Sequence, residues 1–109
     1  MYAAVRRYEG ITDDAEAGRL VGETFVPLLQ EVPGFIGYYW IDAGDGVMAS
    51  LSLFEDQAGA DKSVEVAHAW IVDNAPNLFP NPPRVTEGPV VASATSAADL
   101  SHGRQSLVP

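Results

Sequence analysis

The chain offers few side chains that could do covalent or acid–base chemistry. With no Cys among its 109 residues, it has no thiolate nucleophile, no disulfide, and no thiolate ligands for zinc or an iron–sulfur cluster. His68 is the one side chain titrating near neutrality that falls inside the foldable part of the sequence. It lies one helical step off an apolar stripe, at the edge of a buried face. One reading makes it a base or a ligand, and the other a hydrogen-bonded histidine bordering a core. Arg6 and Arg7 are adjacent on a strand, so their side chains leave on opposite sides. One of them turns toward a buried surface and needs a partner. That partner is an acid of the chain or an anionic ligand, and in so acidic a protein the acid is expected. Tyr38 and Trp40 share one strand face, where they can stack on a flat ring or pack in a core.

Other patterns carry less. Asp42-Ala43-Gly44-Asp45-Gly46 lacks the third acid and the closing Glu of a calcium loop, and reads as a turn. Asp13, Asp14 and Glu16, like Glu55, Asp56 and Asp61, suit the positive ends of helices, so no metal site is expected. There is no Gly-rich phosphate loop, nucleophile elbow or paired-His helix motif.

The elements that must position these residues follow from periodicity and turn chemistry. Tyr2–Glu9, closed by Gly10, reads as a first strand. Thr12 or Asp13 can cap a helix whose apolar stripe runs Ala17, Leu20, Val21, Leu28 and Val32. Pro27 should kink that helix or split its last turn, and Pro33-Gly34 ends it. Phe35–Asp42 and Val47–Phe54 are dense in strand formers and flank Gly44-Asp45-Gly46, the clearest hairpin in the chain. A two-residue turn at Gly44-Asp45 places Tyr38 and Trp40 on the face of Val47, Ala49, Leu51 and Leu53. Tyr39 and Ile41 then join Met48, Ser50, Ser52 and Phe54 on the other face, with Ser50 at an interface. A second helix runs from Asp56 with Ala60, Val64, Ala67, Ile71, Ala75 and Leu78 on its stripe, leaving Val66 and Trp70 outside. Pro80, Pro82 and Pro83 break the chain before a last strand over Arg84–Ala92, which Pro89 assigns to a sheet edge.

This β-α-β-β-α-β order, with right-handed crossovers, gives an α+β ferredoxin-like domain over residues 1–93. Its four-stranded antiparallel sheet has order 4-1-3-2, with both helices on one face. Residues 94–109, poor in large apolar side chains, read as a flexible C-terminal extension. Both hairpin faces are too apolar for water, so a homodimer through the helix-free sheet face is expected. Six basic against fifteen acidic residues give a net charge of −9, which disfavours nucleic acid and anionic lipid. No apolar run approaches a membrane span and no signal-peptide pattern opens the chain, so a cytoplasmic protein is expected.

Pro33-Gly34-Phe35-Ile36-Gly37-Tyr38 and Leu53-Phe54-Glu55-Asp56-Gln57-Ala58 carry a family resemblance. The first resembles the "PGF" run that leads into strand two of the antibiotic biosynthesis monooxygenase-like family. The second resembles the aromatic-acid-acid exit of its strand three. The resemblance spans about Tyr2 to Ser93 and implies a dimeric α/β barrel. These motifs fix a turn and a strand exit, not reacting groups. Some members oxidise phenols and quinols with O₂ and no cofactor, which requires an enclosed apolar cavity, hydrogen-bond donors and a base. The resemblance therefore implies a small aromatic ligand, no cofactor, His68 as catalytic base, and Tyr38, Trp40, Arg6 and Asn74 as substrate-binding residues. A non-catalytic binding or structural dimer is the alternative. Haem-degrading proteins share the fold but use a strand-one Asn, where this chain has Val5-Arg6-Arg7-Tyr8.

Overall fold

A computed structural model describes residues 1–96. Strand β1 (Tyr2–Tyr8) leads into helix α1 (Asp14–Leu20), a π-helical turn (Val21–Phe25) and helix α2 (Val26–Gln30). Strands β2 (Phe35–Gly44) and β3 (Val47–Phe54) form the hairpin, helix α3 (Gln57–Asn74) follows, and β4 (Arg84–Pro89) closes the sheet. All strand pairs are antiparallel and the order is β2-β3-β1-β4, the expected ferredoxin-like arrangement, with β4 on an edge. The expected extension over 94–109 lies, from residue 97 onward, outside the described residues.

The hairpin corrects the expected faces. Asp45 and Gly46 form the turn, both with positive φ (55° and 78°), as a type I′ turn requires. That turn alone keeps the expected face parity; a bulge between Asp42 and Gly44 then displaces the pairing by one residue. Tyr38 therefore stands opposite Ser52 and Trp40 opposite Ser50. Because side chains alternate with a period of two, this shift moves Tyr38 and Trp40 onto the face of Met48, Ser50, Ser52 and Phe54. That face is buried under the helices. Ser50 belongs to the helix-covered layer and not to an interface, while Gly37, Tyr39, Ile41, Ala49, Leu51 and Leu53 make the helix-free face.

Pro27 acts on the first helix as expected, and the consequence reaches its packing. Lacking an N–H, it favours a wider turn before it, in which Val26 N–H donates to the Val21 carbonyl. The wider turn advances the buried stripe by one residue, so Val21, Phe25, Leu29 and Val32 are buried while Leu28 is 45% exposed. The Asp13 carboxylate caps α1 by accepting from Glu16 N–H at 3.1 Å.

Helix α3 is capped by Asp56, which accepts from Gly59 N–H at 3.2 Å. It buries Gly59, Ala60, Ser63, Ala67 and Trp70. Small residues in the first turns let it sit close to the sheet: a Cβ on Gly59 would fall 2.9 Å from Phe54 Cδ1 and 3.0 Å from the Pro33 carbonyl oxygen. Trp70, expected on the outer side, is buried. Its indole Nε1–H donates to Thr24 Oγ1 at 2.8 Å, and that hydroxyl donates to the Leu20 carbonyl at 2.9 Å. The buried stripe is rotated by about one residue from the expected one, because a large ring with a partner on the π-turn outcompetes the flanking aliphatic positions.

Candidate functional site

The helix-facing side of the sheet carries an unusual row of polar groups. Arg6 on β1 stands opposite Ser50 on β3, which stands opposite Trp40 on β2; in the next row Ser52 lies between Ala4 and Tyr38. These residues reach the interior because alternate positions of three adjacent strands point the same way. Arg6 is 1% exposed. Its Nε and Nη1, the Trp40 Nε1 and the hydroxyls of Ser50 and Ser52 are buried with no hydrogen-bond partner among the described residues.

The expected acid partner for the buried arginine is absent from the described residues. The ion pairs among them are Arg7–Glu9 at 2.9 Å, Arg19 with Glu16 and Glu23 at 2.6 and 2.9 Å, and Lys62–Glu65 at 3.9 Å. All are exposed, and Arg7, on the other side of the strand, takes the local glutamate. Glu87, opposite Ala4 on β4, feels the charge of Arg6 but forms no ion pair with it. Burial and the neighbouring Asp61 hold its carboxyl above the usual range. The acids of the described chain lie on its surface, whereas Arg6 faces aromatic rings, its Cζ 5.9 Å from the centre of Phe25.

Tyr8 and Tyr38 flank this charge. Burial pushes the Tyr8 phenol upward, with Arg6 opposing. Burial pushes Tyr38 up to about 12, against the opposing pull of Arg6 and Ser50. Both phenols are thus neutral near pH 7.

Two hollows meet at Arg6. An inner recess of about 10 Å³, room for about one water, is bounded by Arg6, Tyr8, Phe25, Tyr38, Trp40 and Trp70. An outer cleft of about 440 Å³ opens between α3, the 79–83 loop and β4, with Arg6 and Tyr8 at its floor. Its walls are mostly apolar: Val64, Ala67, Ile71, Val72, Phe79, Val85 and the ring faces of Pro80, Pro82 and Pro83. Two surface hollows of similar volume, one beside Pro33 and one beside Arg84, include no buried charged side chain.

The candidate residues divide accordingly. Arg6 joins both hollows, and Tyr38 and Trp40 line the inner one. The His68 side chain is exposed on the cleft wall and makes no hydrogen bond or ion pair with a described residue. Asn74 lines neither hollow; it is exposed, and its Nδ2 donates to the Trp70 carbonyl at 3.1 Å. Tyr8, Trp70 and Phe79 line the site without standing out from the sequence as site residues. Tyr8 is within reach of sequence reasoning, since it shares the parity of Arg6 on β1; Trp70 and Phe79 depend on helix phase and loop path. No cluster of three His, Cys, Asp or Glu residues among the described residues could hold a metal ion.

No family model matches this chain, and no curated protein matches it. Solved structures do. A protein of unknown function from Nitrosomonas europaea is 21% identical with a TM-score of 0.69, covering 87% of this chain and 93% of its own. A monooxygenase of Streptomyces coelicolor in complex with nanaomycin D is 18% identical with a TM-score of 0.66, covering 87% and 92%. A dimeric ferredoxin-like protein from an uncultured marine organism is 11% identical with a TM-score of 0.61, covering 87% and 97%. An antibiotic biosynthesis monooxygenase is also among the structures sharing the fold. The fold is therefore that of structures bearing the name of the family the two sequence motifs resemble.

Proposed function

We propose that this protein is a small cofactor-independent monooxygenase-type enzyme acting on an aromatic or quinol-type molecule, and that it works as a homodimer paired through its helix-free sheet faces. The observation that carries the reading is the cleft of about 440 Å³ between sheet and α3, within the usual size of ligand sites. Its apolar walls suit a flat hydrophobic body, and its floor offers phenol and guanidinium donors where a substrate oxygen would sit. Chemistry of this type asks the protein for enclosure, orientation and one proton acceptor, since the deprotonated substrate itself supplies electrons to O₂. The acceptor available in the cleft wall is His68. The monooxygenase of the same fold, in complex with nanaomycin D, supports the reading by analogy of fold.

Oxygen uptake with hydroquinone and naphthoquinol substrates tests it. His68→Ala should lower turnover about 10²-fold, the lower range for a lost general base. Because His68 is exposed without a hydrogen bond to the described residues, its melting temperature should stay the same. Unchanged turnover would remove His68 as the base. A second reading, a non-catalytic small-molecule-binding dimer, is favoured by the same exposure of His68, which no carboxylate among the described residues orients. Binding of such compounds with no oxygen uptake would establish that reading instead.

A further inference from the structure

We infer that Arg6 is the receptor for an anionic oxygen on the ligand, so that the cleft selects monoanions carried on an apolar body. This rests on the proposal that the cleft binds a small molecule, and adds the charge the molecule must bear. A buried guanidinium normally sits against a carboxylate, because removing it from water uncompensated is costly. The chain has fifteen acidic residues, yet none of those described pairs with Arg6, which is 1% exposed at the junction of recess and cleft. Its Nε and Nη1 are both unpartnered among the described residues. Glu87 on β4 feels its charge but forms no ion pair with it, and the polar groups that line the recess beside it are neutral: Tyr8 and Tyr38 hold their protons, and the Trp40 indole can only donate. Such a donor-rich lining in a protein of net charge −9 is the complement of one buried negative charge. Among the described residues Arg6 is also the only Lys or Arg that lines the cleft. A single cation matches one charge, and the acidic surface disfavours a polyanion such as a phosphate ester.

A carboxylate and a phenolate present the same chemistry to Arg6, and the test separates them. Calorimetry at pH 8 compares 2-naphthoate with 2-naphthamide, and 4-nitrophenolate with 4-nitroanisole, on the wild-type chain. In at least one pair the anion should bind about tenfold or more tightly than its neutral counterpart, as charge-assisted hydrogen bonds imply. The pair that discriminates identifies the oxygen chemistry. Arg6→Met should abolish the preference, and Arg6→Lys, which keeps the charge without the planar fork, should retain part of it. Melting curves give an independent readout. Ligand-free Arg6→Met should melt above wild type, since an unpaired buried charge is replaced by an apolar chain of similar length. The anion should raise the melting temperature of wild type and leave that of Arg6→Met unchanged. Equal binding of anion and neutral partner, or a preference that survives Arg6→Met, would overturn the inference. So would an Arg6→Met chain that melts lower or fails to fold, since Arg6 would then hold up the fold. If neutral and anionic probes bind equally, the cleft remains a ligand site and only the charge rule falls. If none of the four binds, both fall together.

Discussion

Tyr38 makes the buried polar row sensitive to alkali, and the sign follows from where its proton goes. In the unfolded chain the phenol titrates near its ordinary value of 10.0, whereas in the fold burial raises it to about 12. The stability held by the neutral phenol is therefore complete below pH 10 and is lost as pH rises from 10 toward 12. The loss should amount to roughly 2–3 kcal/mol, because each tenfold change in proton affinity is worth about 1.4 kcal/mol. Urea unfolding at pH 8 and pH 12 should show a smaller alkaline loss for Tyr38→Phe than for wild type. Equal losses would mean that Tyr38 does not carry this linkage. Tyr8, displaced in the same direction, adds to the residual slope of the variant.

At the scale of elements, two contacts hold α3 where it roofs the site. Trp70 is tied to the π-turn through Thr24 Oγ1, the only hydrogen bond to the Trp70 indole among the described residues. Thr24→Val keeps the shape but strands the indole N–H, and should cost about 1–3 kcal/mol in chemical unfolding. A cost near zero would mean that solvent replaces the hydroxyl. The other contact is the close approach at Gly59, where an added methyl would meet both the Phe54 ring and the Pro33 carbonyl. Helix propensity alone favours alanine there by roughly 1 kcal/mol. Overpacking against backbone opposes it and should win, so Gly59→Ala should destabilise by about 1–3 kcal/mol. A stabilised variant would show that α3 can lift from the sheet without loss.

At the scale of the molecule, the proposed dimer rests on the helix-free face. Tyr39 is 61% exposed, Ile41 52% and Val5 39%, in one row or adjacent rows with Leu51 at the centre. A chain this small leaves such a patch open at the risk of aggregation, and pairing two copies covers it. Sedimentation should give a dimer at micromolar concentration. Leu51→Lys should yield a monomer with unchanged far-ultraviolet dichroism, because the lysine lies outside the single-chain core. Ser50→Lys, one residue away, should unfold the chain, since it would bury a second cation beside Arg6 under the helices. A monomeric wild type, or a dimeric Leu51→Lys, would remove the proposed interface.

The element order, the helix caps, the edge position of β4 and the place where Pro27 disturbs the first helix are legible locally, because each depends on a few adjacent residues. Strand order follows from crossover handedness, which is the same for any chain with this element order. The parity of Arg6 and Arg7 shows that one cation must be buried, but not which one or beside what. That depends on facts spread across the molecule: which turn residues take positive φ, how a bulge offsets the pairing, and how a π-turn and Trp70 set helix phase. With a strand period of two, a one-residue displacement exchanges the buried and open faces, so Tyr38, Trp40 and Ser50 could be placed only by tertiary structure. The missing partner of Arg6 is likewise a tertiary fact. Composition counts acids in excess, but only the packed chain keeps those of the described residues on the surface, out of ion-pairing distance of the buried guanidinium.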